Sequence, residues 1–224
     1  MTFSIAARCA RTGRFGVAIS SSSPAVAARC AHVRAGVGAV CSQNITDPRL
    51  GPAALDLMAL GASAPAALSV LVGQRPNIEH RQLTAVDAAG RTSTFSGSGT
   101  LGTWGVAEGR DCVAAGNLLA DTGVPAAMVA AFEAAQGDLG DRLIAALQAG
   151  LAAGGEAGPV HSAGLLMAGE ESWPIADLRV DWEDADPVGR LAALWGLYRP
   201  QMEAYVQRAL EPVAAPSYGV PGDE

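Results

Sequence analysis

The chain of 224 residues is half hydrophobic, only 17% charged and carries a formal charge of −7, and this composition excludes a disordered chain. Lysine is absent, so all 15 basic residues are arginines, and these are scattered along the sequence. Nucleic acid or an anionic membrane would need a clustered positive face. We therefore expect neither as a partner.

The cysteines and histidines do not have the spacing of a metal site. No CxxC pair occurs, and the three histidines lie far from the cysteines in sequence. We expect no metal and no cofactor, and free buried thiols in a reducing compartment. The four cysteines are Cys9, Cys30, Cys41 and Cys112.

The N-terminus lacks the pattern of a signal peptide, and no uncharged apolar run reaches transmembrane length. These features favour a soluble, cytoplasmic protein.

The first half of the chain begins with strands and continues with helices. Apolar residues alternate over 3–7, which predicts a strand at the N-terminus. Gly61 predicts the end of one helix, and Ser63 is the expected N-cap of the next, with Gly73 beyond its end. In chain order, the predicted elements are strands over 3–7, 15–20, 26–33 and 37–42, helices over 50–60 and 64–72, and a hairpin of 83–86 with 92–95.

The second half repeats the alternation of strands with paired helices. Asp138 is an expected N-cap, and Asp186 followed by Pro187 is a strong helix start. The predicted elements are a strand over 111–118, helices over 124–136 and 139–151, short strands over 162–167 and 178–181, and a long amphipathic helix from 187 to 210.

This order predicts an α+β fold. Strands joined by tight turns favour two mostly antiparallel sheets, and helix pairs fall between the groups of strands. Two such halves stack as helix layer, sheet, sheet and helix layer, which is a four-layer αββα sandwich. We expect a single domain over 1–211 and a Pro/Gly-rich C-terminal tail over 212–224.

Thr2 is the first candidate for chemistry. Removal of Met1 would leave a free α-amine on a threonine at the end of a sheet. That amine has an ordinary pKa of about 8, which suits a general base near neutral pH. A threonine hydroxyl with its own amine as base is a known nucleophile arrangement. The alternative is an ordinary strand end, because Met-Thr starts are common.

Polar residues at strand ends are the other candidates. Ser42, Gln43 and Asn44 close one strand and can hold a substrate carbonyl or carboxylate, or form an ordinary strand end. Asn117 in an apolar strand needs a partner if buried, and that partner is either an oxyanion or the backbone. Arg81 can clamp a carboxylate or pair with an acid. Ser20, at the end of the second strand, is a further substrate-binding candidate.

Eight segments of the chain, taken in order, resemble the bacterial domain-of-unknown-function 1028 family over roughly 2–194. That family is grouped with the N-terminal-nucleophile (Ntn) hydrolases, so the resemblance implies the αββα sandwich and places Thr2 at the nucleophile position. The family usually has an acidic pair after RV, whereas Trp182 follows Asp181 here. This difference favours Asp181 as the single substrate-binding carboxylate at this position. The segments are TFSIAAR, GVAIS with AGVGAVCSQN, LGPAALDLMALG, RQLTAVDAAGR, AAGNLLA, DRLIAALQAGLAAGGE, HSAGLLMA and DLRVDWEDADPVGRL.

The sequence thus predicts an Ntn-type amidohydrolase acting on a small C–N bond. In this prediction Thr2 attacks the carbonyl and its amine takes the proton. The Asn117 amide, together with that of Gln43 or nearby backbone N–H groups, stabilises the oxyanion. Arg81 holds a substrate carboxylate. The alternative is a non-catalytic small-molecule binding protein on the same scaffold, or an interaction subunit that uses its Ala-rich helices as a dimer face. We expect a homodimer or a higher homo-oligomer.

Overall fold

The computed structural model describes residues 2–222, so Met1 and the last two residues of the predicted tail lie outside the described residues. Strands and helices alternate in groups along the chain. The strands are β1 (Thr2–Arg8), β2 (Phe15–Ser21), β3 (Ala31–Arg34), β4 (Gly38–Asn44), β5 (Arg81–Asp87), β6 (Thr92–Ser96), β7 (Gly105–Gly109), β8 (Cys112–Asn117), β9 (Ser162–Ala168) and β10 (Pro174–Val180). The helices are α1 (Ala27–Cys30), α2 (Leu50–Ala59), α3 (Ala64–Gln74), α4 (Val124–Ala134), α5 (Leu139–Ala152), α6 (Pro187–Tyr198) and α7 (Met202–Leu210).

The strands form two sheets. One has six strands in the order β10-β9-β2-β1-β8-β7, and the other has four in the order β3-β4-β5-β6. Every described pair of neighbouring strands is antiparallel. The prediction of an α+β fold with antiparallel sheets is confirmed. β1 lies in the interior of the six-stranded sheet, between β2 and β8.

Three apolar clusters hold the sheets and helices together. Side chains of β1, including Phe3, pack with α4, α5 and α6 on one face of the six-stranded sheet. Val17 of β2 and Cys41 of β4 belong to a cluster between the two sheets. Leu83 of β5 packs with α2 and α3 on the remaining face of the four-stranded sheet. Both faces of both sheets are therefore covered, and burying their apolar surface supplies the main driving force for folding.

Side-chain caps fix the beginnings of three helices as the sequence predicts. The Ser63 hydroxyl accepts from the Ala66 N–H at 3.3 Å. Asp138 and Asp141 form a reciprocal capping box at the start of α5, and Asp186 accepts from the Gly189 N–H at 2.8 Å. Each cap satisfies a backbone donor that the helix itself leaves unpaired.

The predicted strand over 26–33 is half wrong, because its first part forms the one-turn helix α1. Gly164 on β9 explains how this turn approaches the sheet so closely. A Cβ at Gly164 would lie 2.3 Å from the Cβ of Ala27. Only a residue without a side chain leaves room for α1 here, and the strand begins again at Ala31.

Four other elements differ from the structure in their predicted bounds or are missing from the prediction. Gly73 lies inside α3 rather than beyond its end. The edge strand β7 is missing from the prediction, and β10 begins at Pro174, four residues before the predicted start. The predicted long helix is interrupted by a 3₁₀ turn over Arg199–Gln201. Pro200 in that turn has no N–H to donate, and it separates α6 from α7.

The tail after α7 returns along that helix. Arg208 donates to the carbonyls of Pro216 at 3.0 Å and Ser217 at 2.9 Å. Its guanidinium also lies 3.9 Å from the centre of the Tyr218 ring, a cation–π distance. Within the described part of the chain, no helix is both long and apolar enough to cross a membrane.

Candidate functional site

The alternation of β1 places Thr2 on the face that looks toward the other sheet. Phe3, Ile5 and Ala7 point to the helices, whereas Ala6 belongs to the cluster between the sheets. Since successive side chains of a strand point to opposite faces, Thr2 shares the face of Ala6. Thr2 is only 4% exposed.

Thr2 lies between polar residues of its two neighbouring strands. It pairs directly with Asn117 on β8. On the β2 side, the Thr2 hydroxyl donates to the Ser21 Oγ at 3.5 Å. The Ser21 Oγ in turn accepts from the Ser23 N–H at 3.0 Å. Two hydroxyls and an amide therefore meet at the N-terminal end of β1.

A chain of buried amides links the two sheets beside Thr2. The Ser4 hydroxyl donates to the Gln43 Oε1 at 2.6 Å, and the Gln43 Nε2 donates to the Gln82 Oε1 at 2.8 Å. The Asn117 Nδ2 donates to the same Gln82 oxygen at 3.1 Å. The amides belong to β4, β5 and β8, so this network spans the space between the sheets. We refer to Ser4, Gln43, Gln82 and Asn117 as the amide network.

The direction of every bond in the amide network follows from one backbone atom. The Gly116 carbonyl can only accept, and it accepts from the Gln82 Nε2 at 3.1 Å. The Gln82 oxygen must therefore face Gln43 and Asn117, and both of these must present nitrogen to it. The Asn117 Oδ1 consequently points away from Gln82. It is buried and has no hydrogen-bond partner among residues 2–222.

Glu156 is a second buried group with an unused oxygen in this region. It is 4% exposed, and its Oε1 accepts from the Ser22 N–H at 3.0 Å. Its Oε2 has no hydrogen-bond partner within the described chain. Burial raises the pKa of the Glu156 carboxyl, and the hydrogen bond from Ser22 opposes that rise. Sequence reasoning missed this residue, although an acidic side chain directly after the Gly154-Gly155 end of α5 was a usable signal.

Two of the predicted site residues lie on the wrong faces to meet Thr2. Ser20 pairs with Phe3 and shares its face, and its hydroxyl donates to the Ser162 carbonyl at 2.9 Å. Ser42 points toward α2, and its hydroxyl donates to the Asp47 carbonyl at 2.9 Å. The structure brings together Thr2 and the predicted Gln43 and Asn117, with Ser21 in place of Ser20.

Asn44 and Arg81 hold loops together at the end of the four-stranded sheet. Asn44 has a left-handed φ of 75°, and its side chain donates to the His80 carbonyl at 2.7 Å and accepts from the Leu101 N–H at 3.2 Å. Arg81 donates to the Ile45 carbonyl. These bonds give both side chains structural partners, and carboxylate binding by Arg81 stays a prediction.

Asp181 is distant from Thr2 within the six-stranded sheet. It directly follows β10, which β9 and β2 separate from β1. It is exposed and lines an outer cavity of about 360 Å³ with Arg179, Trp182 and Arg190. The acidic residues that follow it include Asp186, which caps α6. Within residues 2–222, no three His, Cys, Asp or Glu side chains group as metal ligands.

The fold and the site define an α+β protein with two antiparallel sheets and a buried polar site between them at the N-terminal end of β1. Residues 2–191 match the model of a family described as "Family of unknown function (DUF1028)", and the chain belongs to that family.

Two solved structures resemble the chain to very different degrees. The crystal structure of protein SPO2555 from Silicibacter pomeroyi, of the same family, has a TM-score of 0.82 and 30% identity, with 88% of each chain covered. Anbu (ancestral beta-subunit) from Yersinia bercovieri has a TM-score of 0.39 and 11% identity, covering 91% of this chain and 97% of its own. No curated protein matches the chain.

Proposed function

We propose that the protein is an Ntn-type amidohydrolase that cleaves a small C–N bond with the Thr2 hydroxyl, once Met1 has been removed. The observation that carries this proposal is the surroundings of Thr2. Its hydroxyl lies 3.5 Å from that of Ser21, and its strand partner Asn117 has a buried, unused Oδ1. A buried acceptor without a partner is costly for stability, and a role in binding or catalysis is one physical reason to keep it.

The layer arrangement supports the same proposal. α4 and α5 pack on the outer face of the six-stranded sheet, and α2 and α3 pack on the outer face of the four-stranded sheet. We interpret this as the four-layer αββα sandwich of the Ntn hydrolases. In that fold, a nucleophile at the start of an interior strand faces the space between the sheets, which is the position of Thr2.

The proposed reaction has two stages. The Thr2 Oγ forms a bond to the amide carbonyl carbon, and its proton passes to the Thr2 α-amine. That proton then goes to the leaving nitrogen as the C–N bond breaks, which releases an amine and leaves an ester on Thr2. Water, deprotonated by the same α-amine, attacks the ester and releases the acid and the hydroxyl.

The amide network gives Asn117 and Gln43 different roles in this proposal. One N–H of the Asn117 amide is committed to Gln82, so the second is the one available to an oxyanion. The Oδ1 of Asn117 accepts a hydrogen bond from an N–H group of the substrate or of the Thr2 amine. Gln43 lies between Ser4 and Gln82, and it positions Asn117 through their shared bond to Gln82.

A covalent probe tests the nucleophile without knowledge of the substrate. A small β-lactone acylates a nucleophilic hydroxyl by ring opening, so the adduct carries the whole mass of the probe. The native protein should begin at Thr2 by intact mass and gain a single adduct on that residue. Thr2→Ala should gain none, and Thr2→Ser should keep part of the reaction because it keeps the hydroxyl. The matched control is Thr122→Ala, an exposed threonine, which should react like the native protein.

Turnover on a panel of small chromogenic anilides gives the second measurement. Any hydrolysis should fall by about 1,000-fold or more in Thr2→Ala, because no other group forms the acyl-enzyme. Met1 retained on active protein, or an adduct that persists in Thr2→Ala, would contradict the proposal. An anilide that binds the native protein and Thr2→Ala equally, without forming an adduct or being hydrolysed, would instead favour a non-catalytic small-molecule binding protein.

A further inference from the structure

We propose that Glu156 is the positioning residue of the Thr2 α-amine, holding it as a charge partner across the N-terminal end of β1. This inference deepens the proposed function and rests on it for its catalytic meaning. Two independent contacts, one on each side of the strand, place Glu156 at that end.

The first contact comes from the β2 side. The Glu156 Oε1 accepts from the N–H of Ser22, which directly follows β2. The preceding residue, Ser21, accepts from the Thr2 hydroxyl at 3.5 Å. One carboxylate oxygen is therefore fixed beside the strand end that neighbours Thr2.

The second contact comes from the β8 side. Glu156 forms an isolated bridge with Leu119, two residues beyond Asn117. On either side of Glu156, the Ala120 N–H donates to the Gly155 carbonyl at 3.1 Å, and the Ala157 N–H donates to the Leu118 carbonyl at 3.0 Å. These bonds hold the backbone of Glu156 against the chain that leaves β8.

The strand order shows where these contacts place Glu156. β1 lies between β2 and β8, and Glu156 contacts the chain beyond the end of both. A residue fixed on both sides spans the N-terminal end of the strand between them, which is where the α-amine of Thr2 begins the mature chain.

The second carboxylate oxygen supplies the chemical argument. The Glu156 Oε2 is buried and has no hydrogen-bond partner in the described part of the chain. A buried carboxylate oxygen is stable only with a donor or a positive charge. An α-ammonium is a compact group that supplies both, and the proposed mechanism puts one at this end of β1.

The other titratable groups nearby are few. His161 lies in the chain before β9, and its imidazole lowers the pKa of the Glu156 carboxyl. The His161 Nδ1 lies 3.5 Å from the Asp184 Oδ1. Asp121, after β8, is exposed and accepts from the Gly123 N–H at 2.7 Å. Ser21, Ser22 and Asn117, at the ends of β2 and β8, carry no charge. Glu156 is the buried acid of this group.

The test titrates the amine directly. A fusion to ubiquitin, cleaved to leave Thr2 first, supplies the protein with ¹⁵N-labelled threonine and makes the experiment independent of Met1 removal in the cell. Glu156→Gln should lower the pKa of the Thr2 α-amine, so that its proton affinity falls by about tenfold. The matched control is Glu170→Gln, an exposed glutamate, which should leave the amine titration unchanged. An amine that titrates alike in the native protein and in Glu156→Gln would overturn the proposal.

A second measurement needs no substitution, in case Glu156→Gln fails to fold. The side-chain carboxyl ¹³C signal of Glu156 in the unaltered Thr2-first protein should step at the pH where the α-amine titrates. Absence of that step would also overturn the proposal.

The pH dependence of turnover separates positioning from mere stabilisation. With a responsive anilide, Glu156→Gln should move the rising limb of kcat/KM to lower pH, because the base loses its proton more readily. A purely structural role would lower the rate without moving that limb, and this result would count against the proposal. An amine that responds to Glu156 while Thr2→Ala still turns over would reject the proposed function and leave the pairing standing.

Discussion

Gln82 joins the two sheets through one side chain. Its oxygen accepts from Gln43 and Asn117, and its nitrogen donates to Ser96 and to the Gly116 carbonyl. It is fully buried, so each of these four bonds replaces one that water would make. Removing the amide would leave several buried polar groups unsatisfied at once, at about 1–3 kcal/mol for each.

Gln82→Leu should therefore lower the free energy of unfolding by at least about 2 kcal/mol, because leucine keeps most of the volume and none of the bonds. Urea denaturation followed by circular dichroism measures the change. The matched control is Gln148→Leu on the exposed face of α5, where we expect a change within about 0.5 kcal/mol. A loss for Gln82→Leu as small as that of the control would mean that the network contributes little to the fold.

The candidate residues illustrate what strand patterns reveal about a site. Thr2, Gln43 and Asn117 were predictable as polar residues at strand ends. Ser42 and Gln43 are neighbours on opposite faces, and the sequence could not say which one faces Thr2, because both faces of this sheet are buried and no polar alternation marks them. Glu156 lies in a loop, and only the pairing of distant strands brings it to the chain that follows β2 and β8.

At the scale of elements, Asp87 connects the β5–β6 turn to the beginning of α3. Its carboxylate accepts from the N–H of Ala64 at 2.9 Å, the N–H of Ala89 at 2.9 Å, and both the backbone and side chain of Arg91. Burial by itself raises the pKa of Asp87, but these hydrogen bonds outweigh it, so the net pKa is lowered. One side chain thus serves as a turn residue and as an anion at a helix start.

Asp87→Asn should destabilise the protein by about 2 kcal/mol near neutral pH, because an amide offers N–H groups where donors already converge. The folded pKa of Asp87 lies below its unfolded value of about 3.9, so its contribution is fully present above that value and is lost as the pH falls through the folded pKa. Urea denaturation at a series of pH values should show a constant difference from the native protein down to about pH 5.

Below about pH 4 that difference should shrink, because Asp87 binds a proton more readily in the unfolded chain than in the folded protein. The control is Asp56→Asn, which breaks an exposed ion pair with Arg34 and should change stability by less than about 1 kcal/mol. A difference for Asp87→Asn that grows on acidification would contradict the sign of the pKa shift.

Local chemistry predicted the caps and most elements, and tertiary contacts account for the exceptions. Residues 26–33 have the composition of a strand, but α1 forms because Gly164 on a distant strand leaves space for it. β7 contains two glycines in five residues, and none of the five is fully buried, so its sequence carries little hydrophobic signal and it becomes a strand by pairing with β8. The long helical period up to 210 concealed the break that Pro200 imposes.

Across the whole molecule, the four cysteines are free and distributed over the core. Burial raises the pKa of Cys41 and of Cys112 to about 12 each, and it also raises that of Cys30. Cys9 differs, because hydrogen bonds involving Thr12 and Arg11 outweigh its burial and lower its pKa. The thiolate is the reactive form of cysteine, so a thiol with a lower pKa reacts faster. The four cysteines should therefore react at different rates while the protein is folded.

A thiol titration with Ellman's reagent at about pH 8 should thus find Cys9 reacting first in the native protein. Cys9→Ser should remove that fast phase, and all four thiols should react once guanidinium has unfolded the chain. Cys30→Ser is the control, since it should leave the fast phase in place. Several thiols reacting together in the native protein would show that the core opens more readily than its packing implies.

The orientation of the amide network should resist most substitutions among relatives of this protein. The orientation of Asn117 is decided at the Gly116 carbonyl, a main-chain atom that no substitution removes. Exchange of Ser96 or Gln43 alters a branch of the network without reversing it, whereas loss of Gln82 would release Asn117 to turn. In a relative that keeps Gln82 and Asn117, the Asn117 Oδ1 is thus held in the same direction, so any group bound at that point must donate a hydrogen bond.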